Sequence, residues 1–167
     1  MVIPRITERK KAEEELRKLS RAVEQSPASV VITNRKGDIE YVNEKFCEIS
    51  GYSREEVKGN NPRILKSGHH DKKFYEEIWN TILLNKDWKG EILNKKKNGE
   101  LFWESELISP LVDKEKNITH FVAIKEDITE KKKLITDLKL SQKEMALHVK
   151  ETPLGVIRWD LNLSIFK

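Results

Sequence analysis

The stretch Trp88–Asp127 constrains the fold of this chain more than any other segment. Asn98-Gly99 lies between two β-like runs, and Asn-Gly in that setting is the strongest local signal for a hairpin, because both turn positions favour positive φ. A second polar turn then leads to a third apolar run. The pattern predicts a three-stranded antiparallel meander with strands near 88–95, 101–112 and 118–127.

Upstream of the meander, two strand-like runs at 29–34 and 39–42 are followed by short helical segments. Asp71 then opens a longer amphipathic helix. Its predicted inner face consists of Phe74, Ile78, Ile82 and Leu83. Two strands, a helical insert and three further strands predict an α+β fold, in which helices pack on one face of a single antiparallel sheet.

Charge is concentrated in two runs, 5–21 and 126–150, which read as solvated helices with narrow apolar seams. The net charge of +4 is scattered, without aromatic interleaving or a recognition-helix pattern, so no nucleic-acid partner is expected. The single cysteine, Cys47, excludes an internal disulfide and suits a cytoplasmic location. No apolar run approaches the roughly 18 residues of a membrane span, so we expect no direct membrane contact by this segment.

An internal repeat defines the expected domain organisation. Ile6-Thr-Glu-Arg-Lys-Lys11 matches Ile128-Thr-Glu-Lys-Lys-Lys133, and each copy precedes a helix, a proline and a strand-like run. The simplest interpretation is a tandem module of about 120 residues. The predicted parts are a linker or coiled-coil helix at 1–23, a complete domain at 24–130, a linker helix at 131–150 and the start of a truncated second repeat at 151–167.

The order of these elements, with three short motifs, closely resembles the PAS sensory domains of bacterial signalling proteins. The motifs are Asn43-Glu-Lys-Phe46, Gly51-Tyr-Ser-Arg-Glu-Glu-Val-Lys-Gly59 and Asp127-Ile-Thr129. The resemblance implies a five-stranded antiparallel sheet that cups a pocket against short helices. It also implies flanking helices that pair in a homodimer and carry a signal to an output domain.

Two segments are similar to the flavin-binding branch of that family. The loop 59–65 is similar to the loop of light-sensing (LOV) domains, and the pattern Trp88-x-Gly-x-x-x-Asn94 resembles redox sensors that hold flavin adenine dinucleotide (FAD). This resemblance implies a flavin, FAD in particular. Asn61 and Asn94 would hydrogen-bond its polar atoms, Arg63 would bind a phosphate, and Trp88 would pack beside the ring.

The sequence also departs from that branch. Pro62 stands where LOV domains carry the photoreactive cysteine, so cysteinyl-flavin photochemistry is excluded. Glu104 and Lys125 stand at two positions where light sensors carry amides. Glu104 shares a strand face with Phe102, and a carboxylate that points inward needs a partner, for which Lys125 is the candidate. That pair either replaces the amide contacts or closes the pocket.

The sequence therefore predicts a ligand- or redox-sensing PAS module that relays the state of its pocket to a C-terminal helix. The alternative is a ligand-free PAS module for dimerisation and signal relay. No catalytic residue is predicted, because kinase motifs, phosphate-binding glycine loops and nucleophile elbows are absent from the sequence. Any histidine kinase or nucleotide cyclase would lie outside this chain. His69-His70 lacks a third spaced ligand, so no metal site is predicted.

Overall fold

The structure, a computed structural model, describes the backbone of residues 3–151. The predicted second repeat at 151–167 lies outside the described residues except for its first residue. The chain divides into two compact units, the first ending at Ile128 and the second beginning at Thr129. In the first unit the elements are α1 (Ile3–Glu24), β1 (Ser29–Asn34), β2 (Ile39–Val42), α2 (Glu44–Ser50), α3 (Arg54–Val57), a 3-10 helix (Pro62–Leu65), α4 (Lys72–Leu83), β3 (Trp88–Lys95), β4 (Leu101–Val112) and β5 (Ile118–Asp127).

The five strands form one antiparallel sheet in the order β2-β1-β5-β4-β3. The meander supplies three adjacent strands, and β1 pairs with β5, so the first and last parts of the fold are neighbours. The predicted α+β class and the five-stranded sheet are confirmed. In the second unit the structure describes residues 129–151, which form the helix α5 (Thr129–Glu151).

Side-chain caps explain where the short helices begin. Ser53 and Glu56 form a capping box, in which each side chain accepts a hydrogen bond from the other residue's backbone N–H. Asp71 caps α4 by accepting from the Phe74 N–H at 2.9 Å. Gly51 ends α2 at a φ of 76°, a left-handed conformation that glycine adopts without steric cost.

Two apolar clusters form the core. The first lies where α2 and α3 meet β1 and β2, and contains Val31, Ile39, Val42, Phe46, Val57 and Leu65. The second lies where α4 faces the meander, and contains Ile78, Ile82, Trp88, Ile92 and Phe121. Leu83 is a correction: it was expected on the inner face of α4, but 51 % of its surface is exposed because it occupies the last helical position.

The hairpin between β3 and β4 has a different turn from the one expected. Only Gly99 has positive φ (91°), whereas Asn98 does not. The Gly99 N–H donates to the Lys96 carbonyl and the Lys96 N–H donates to the Glu100 carbonyl. Three residues, 97–99, therefore lie between the paired residues Lys96 and Glu100. The loop is a turn followed by one left-handed glycine, and not a two-residue turn.

Candidate ligand-binding site

A cavity of about 490 Å³ lies between the sheet and the segment that runs from the 3-10 helix through α4. Its walls are largely apolar, with side chains from both core clusters. The apolar wall includes Val31, Ile78, Trp79, Ile92 and Phe121. This volume falls within the range of about 300–1,000 Å³ that small-molecule sites occupy.

The buried end of the cavity is polar. Glu106 on β4 lies directly opposite Lys125 on β5. Glu104 precedes Glu106 by two residues and lies on the same face of the strand. Lys125 Nζ lies 2.9 Å from Glu106 Oε1 and 3.6 Å from Glu104 Oε2. Asn94 Nδ2, from β3, donates to Glu104 Oε2 at 2.6 Å and to Glu106 Oε1 at 3.4 Å. We call these four side chains the polar floor, of which Asn94, Glu106 and Lys125 border the cavity and the predicted site residue Glu104 does not.

All four residues of the polar floor are at most 5 % exposed, so their charges interact in a weakly screened environment. Burial opposes the charge of Lys125, but Glu104 and Glu106 together raise its pKa above the ordinary value. Burial also raises the pKa of Glu104, and repulsion by Glu106 adds to that effect although Lys125 opposes it. Because its pKa is raised, Glu104 is a carboxyl at which this buried cluster can hold a proton.

The site residues predicted from the sequence fall into three places. Asn94, Glu104 and Lys125 meet in the polar floor, and the predicted Glu104–Lys125 contact is present. Asn61 and Arg63 border the cavity from the 3-10 helix. Asn61 Nδ2 donates to the Gly37 carbonyl at 3.0 Å, and its Oδ1 accepts from the Arg63 N–H at 3.1 Å. The side chain of Asn61 therefore shapes this loop.

Trp88 occupies the apolar cluster beside the cavity, with its ring edge-on to Phe74 at a centroid distance of 5.8 Å. Its ring also covers Gly90, where an added Cβ would lie 2.6 Å from the indole. The Trp-x-Gly pattern therefore has a packing cause: only glycine leaves room for the ring two residues away on the same strand face.

Sequence reasoning missed several residues at this site. The Tyr75 ring on α4 lies under Lys66, with Lys66 Nζ 3.6 Å from the ring centroid. Nε2 of His70 accepts the Leu93 N–H at 2.9 Å, and burial, then His69, lowers the pKa of His70. Glu106 was not among the residues that the sequence assigned to the site. Its alternation with Glu104 was the available signal, whereas no sequence pattern marks Tyr75.

Among the described residues, no group of three or more His, Cys, Asp or Glu side chains is arranged to hold a metal ion. None of the described helices is sufficiently long and apolar to cross a membrane.

Comparison with known proteins agrees with this architecture. A sequence profile of the PAS domain family matches residues 27–130. The chain is 31 % identical over 107 residues to a nitrogen fixation regulatory protein of Klebsiella oxytoca, which covers 64 % of this chain and 22 % of that protein. It is 35 % identical over 111 residues to a blue-light-activated histidine kinase of Brucella anthropi, which covers 65 % of this chain and 23 % of that protein.

A solved Light-Oxygen-Voltage domain, studied with a flavin analogue, superimposes with a TM-score of 0.62 and 27 % identity over 76 % of this chain and 96 % of that one. The five-stranded sheet encloses a cavity, and the family profile matches most of this fold. Together these features define a sensory α+β domain. The chain belongs to the PAS domain family. It spans less than a quarter of the length of the two curated relatives above.

Proposed function

We propose that this chain is the sensor module of a longer signal-transduction protein and that its cavity holds a flavin. The observation that carries the proposal is the cavity itself, which has apolar walls, a buried polar floor and an outer border with Arg63, Lys66 and Lys72. A planar ring system needs apolar walls and hydrogen-bonding groups at one edge, and a phosphate chain needs cations near solvent. A bound flavin would supply a redox-active ring.

The residues present fit such a group. Asn94 and Glu106 offer hydrogen-bonding atoms at the buried end, while the exposed Arg63 offers a guanidinium to a phosphate. We propose FAD as the form, since the Trp88 and Asn94 pattern is similar to FAD redox sensors. The relatives in nitrogen regulation and blue-light signalling, and the Light-Oxygen-Voltage domain with its flavin analogue, support a flavin.

The polar floor supplies the route from the cavity to the C-terminal helix. Lys125 lies two residues before the end of β5, and the Ile128 N–H donates to the Trp103 carbonyl at 2.8 Å. The next residue, Thr129, begins α5. We propose that a change in hydrogen bonding at Lys125 displaces the end of β5 and so changes how α5 begins. The coupling requires a ligand state that favours one arrangement of this segment over another.

The flanking helices suit pairing in a homodimer. Leu16 and Leu19 on α1 are more than 60 % exposed in the single chain, as are Leu134 and Met145 on α5. Apolar residues at such spacing on charged helices favour a coiled-coil partner. We further propose a cytoplasmic setting, with an output domain elsewhere in the parent protein.

The test is an absorption spectrum of freshly purified protein, followed by denaturation and identification of any released cofactor. We expect flavin absorption bands that correspond to a stoichiometric amount of cofactor. Arg63→Gln should weaken the binding of phosphate-bearing flavins more than the binding of riboflavin. Lys58→Gln is the matched control, because Lys58 is an exposed cation that does not border the cavity. A colourless protein that also fails to take up added flavin would reject the flavin proposal.

A second candidate is a ligand-free relay module. The observation that favours it is the polar floor, in which both carboxylates already accept hydrogen bonds from Asn94 and ion-pair with Lys125. A network that satisfies its own polar groups needs no ligand to be stable. In that case the flanking helices would still pair with those of a second copy of the chain, and removal of small molecules would leave the dimer unchanged.

A further inference from the structure

The hydroxyl of Tyr75 is an unexplained polar group at the cavity. In the part of the chain that the structure describes, two buried side-chain oxygens have no hydrogen-bond partner, the Tyr75 hydroxyl and Ser29 Oγ. A buried hydroxyl without a partner destabilises the folded state. Tyr75 borders the cavity and Ser29 does not. A bound molecule can therefore satisfy the hydroxyl of Tyr75 but not that of Ser29.

The orientation of Tyr75 is fixed before any ligand binds. Lys66 Nζ covers one face of the ring at 3.6 Å, and the rings of Phe74 and His70 meet it edge-on at centroid distances of 5.5 and 6.3 Å. These contacts hold the ring, so a hydrogen bond from its hydroxyl costs little further ordering.

The acidic group that interacts electrostatically with the Tyr75 hydroxyl is Glu106. Tyr75, Glu106 and Lys125 border the same cavity. Burial raises the pKa of Tyr75, and the charge of Glu106 raises it further while Lys125 opposes that effect. A carboxylate paired with Lys125 offers oxygens that accept hydrogen bonds, whereas a phenol donates one. The two residues together present one donor and one acceptor.

We propose that Tyr75 and Glu106 together recognise the lactam or imide edge of a planar heterocycle. The Tyr75 hydroxyl donates to a ring carbonyl, and Glu106 accepts a hydrogen bond from the adjacent ring N–H. This inference rests on the proposed function in requiring a planar ring in the cavity, but it does not require that ring to be a flavin. It assigns ligand specificity to two residues outside the set that the sequence predicted.

The test titrates the full chain with lumiflavin, which carries an imide N–H, and with 3-methyllumiflavin, in which a methyl group replaces that hydrogen. Wild-type protein should bind lumiflavin about tenfold more tightly or better, because the methylated ring leaves Glu106 without a donor. Tyr75→Phe should weaken lumiflavin binding about three- to tenfold. It should leave the melting temperature of the ligand-free protein unchanged or raised, because it removes an unsatisfied hydroxyl.

Ser29→Ala is the matched control, since it removes the other unsatisfied hydroxyl away from the cavity. It should leave the melting temperature unchanged or raised and lumiflavin binding unaltered. Equal binding of the two probes, or a Tyr75→Phe variant that binds normally or melts lower, would overturn the inference while flavin binding stands. Xanthine, a planar heterocycle that is not a flavin, serves as a third probe. If the wild-type chain binds xanthine through Tyr75 but binds no flavin, only the flavin proposal is rejected. Failure to bind any of the three probes would overturn the inference, whereas the flavin proposal falls only if added FAD also fails to bind.

Discussion

Two buried polar groups in this domain serve different ends, and their hydrogen bonds show the difference. Asn43 connects backbone segments: its Oδ1 accepts from the N–H groups of Val30 and Phe46 at 2.9 and 3.2 Å. Its Nδ2 donates to the carbonyls of Ala28 and Val23 at 2.9 and 3.1 Å. Every partner of this fully buried amide is therefore main chain, and the amide fastens the end of α1 to β1 and α2.

In the polar floor, by contrast, side chains contact one another: two acidic groups share one lysine and one amide. A cavity lies beside them. A group whose partners are all backbone contributes to the fold alone. A group that leaves acceptors and a charge imbalance beside a cavity can respond to a ligand or a proton. Burial alone therefore does not distinguish structural from functional polar groups, whereas the identity of their hydrogen-bond partners does.

The largest expected effect is at Lys125. Lys125→Met leaves two carboxylates buried without a cation, so we expect the free energy of unfolding to fall by about 3–5 kcal/mol. Denaturant unfolding at neutral pH measures it. The triple variant Glu104→Gln, Glu106→Gln, Lys125→Met should recover most of the loss. If the single and triple variants were equally unstable, the ionic origin of the effect would be wrong.

Asn43→Ala should lower the free energy of unfolding by about 2–3 kcal/mol, because backbone groups of α1, β1 and α2 lose their hydrogen-bond partner. The variant should keep the ligand affinity of wild type at temperatures where it remains folded. Asn98→Ala is the control, since this exposed turn residue makes one comparable backbone contact, from the Glu100 N–H. Loss of ligand binding in folded Asn43→Ala would contradict the division drawn between the two groups.

The smallest effect is a pH dependence at Glu104. Its raised pKa means that the folded state keeps a proton which the unfolded chain releases near pH 4.5, so stability present at low pH is lost as pH rises through the folded pKa. Glu104→Gln should remove this loss and so be more stable than wild type at mildly alkaline pH. Paired unfolding curves across pH test it. Parallel curves for both proteins would show that Glu104 titrates alike in the two states.

The sequence was informative where a feature is local. The Asp71 cap, the Ser53–Glu56 capping box and the alternation along β4 follow from residue spacing, and each is present. The predicted contact between Glu104 and Lys125 also followed once both strands were assigned to one sheet.

Other features depend on how distant elements meet. That Glu106, and not Glu104, lies directly opposite Lys125 follows from the register of β4 and β5, which spacing within either strand does not fix. The position of Tyr75 depends on how α4 packs over the sheet. Whether Arg63 meets a phosphate remains a prediction, because its exposed side chain gains a role only with a ligand.

The pairing of β1 with β5 also has a mechanical consequence. Ser29, where the sheet begins, is hydrogen-bond register partner to Lys125, close to where the sheet ends. A force that separates the segments leading into β1 and out of β5 therefore acts at one end of an antiparallel ladder. Such a force would break the hydrogen bonds between β1 and β5 one after another, instead of loading all of them together in shear. The domain should yield to such a pull at low force, beginning beside Lys125.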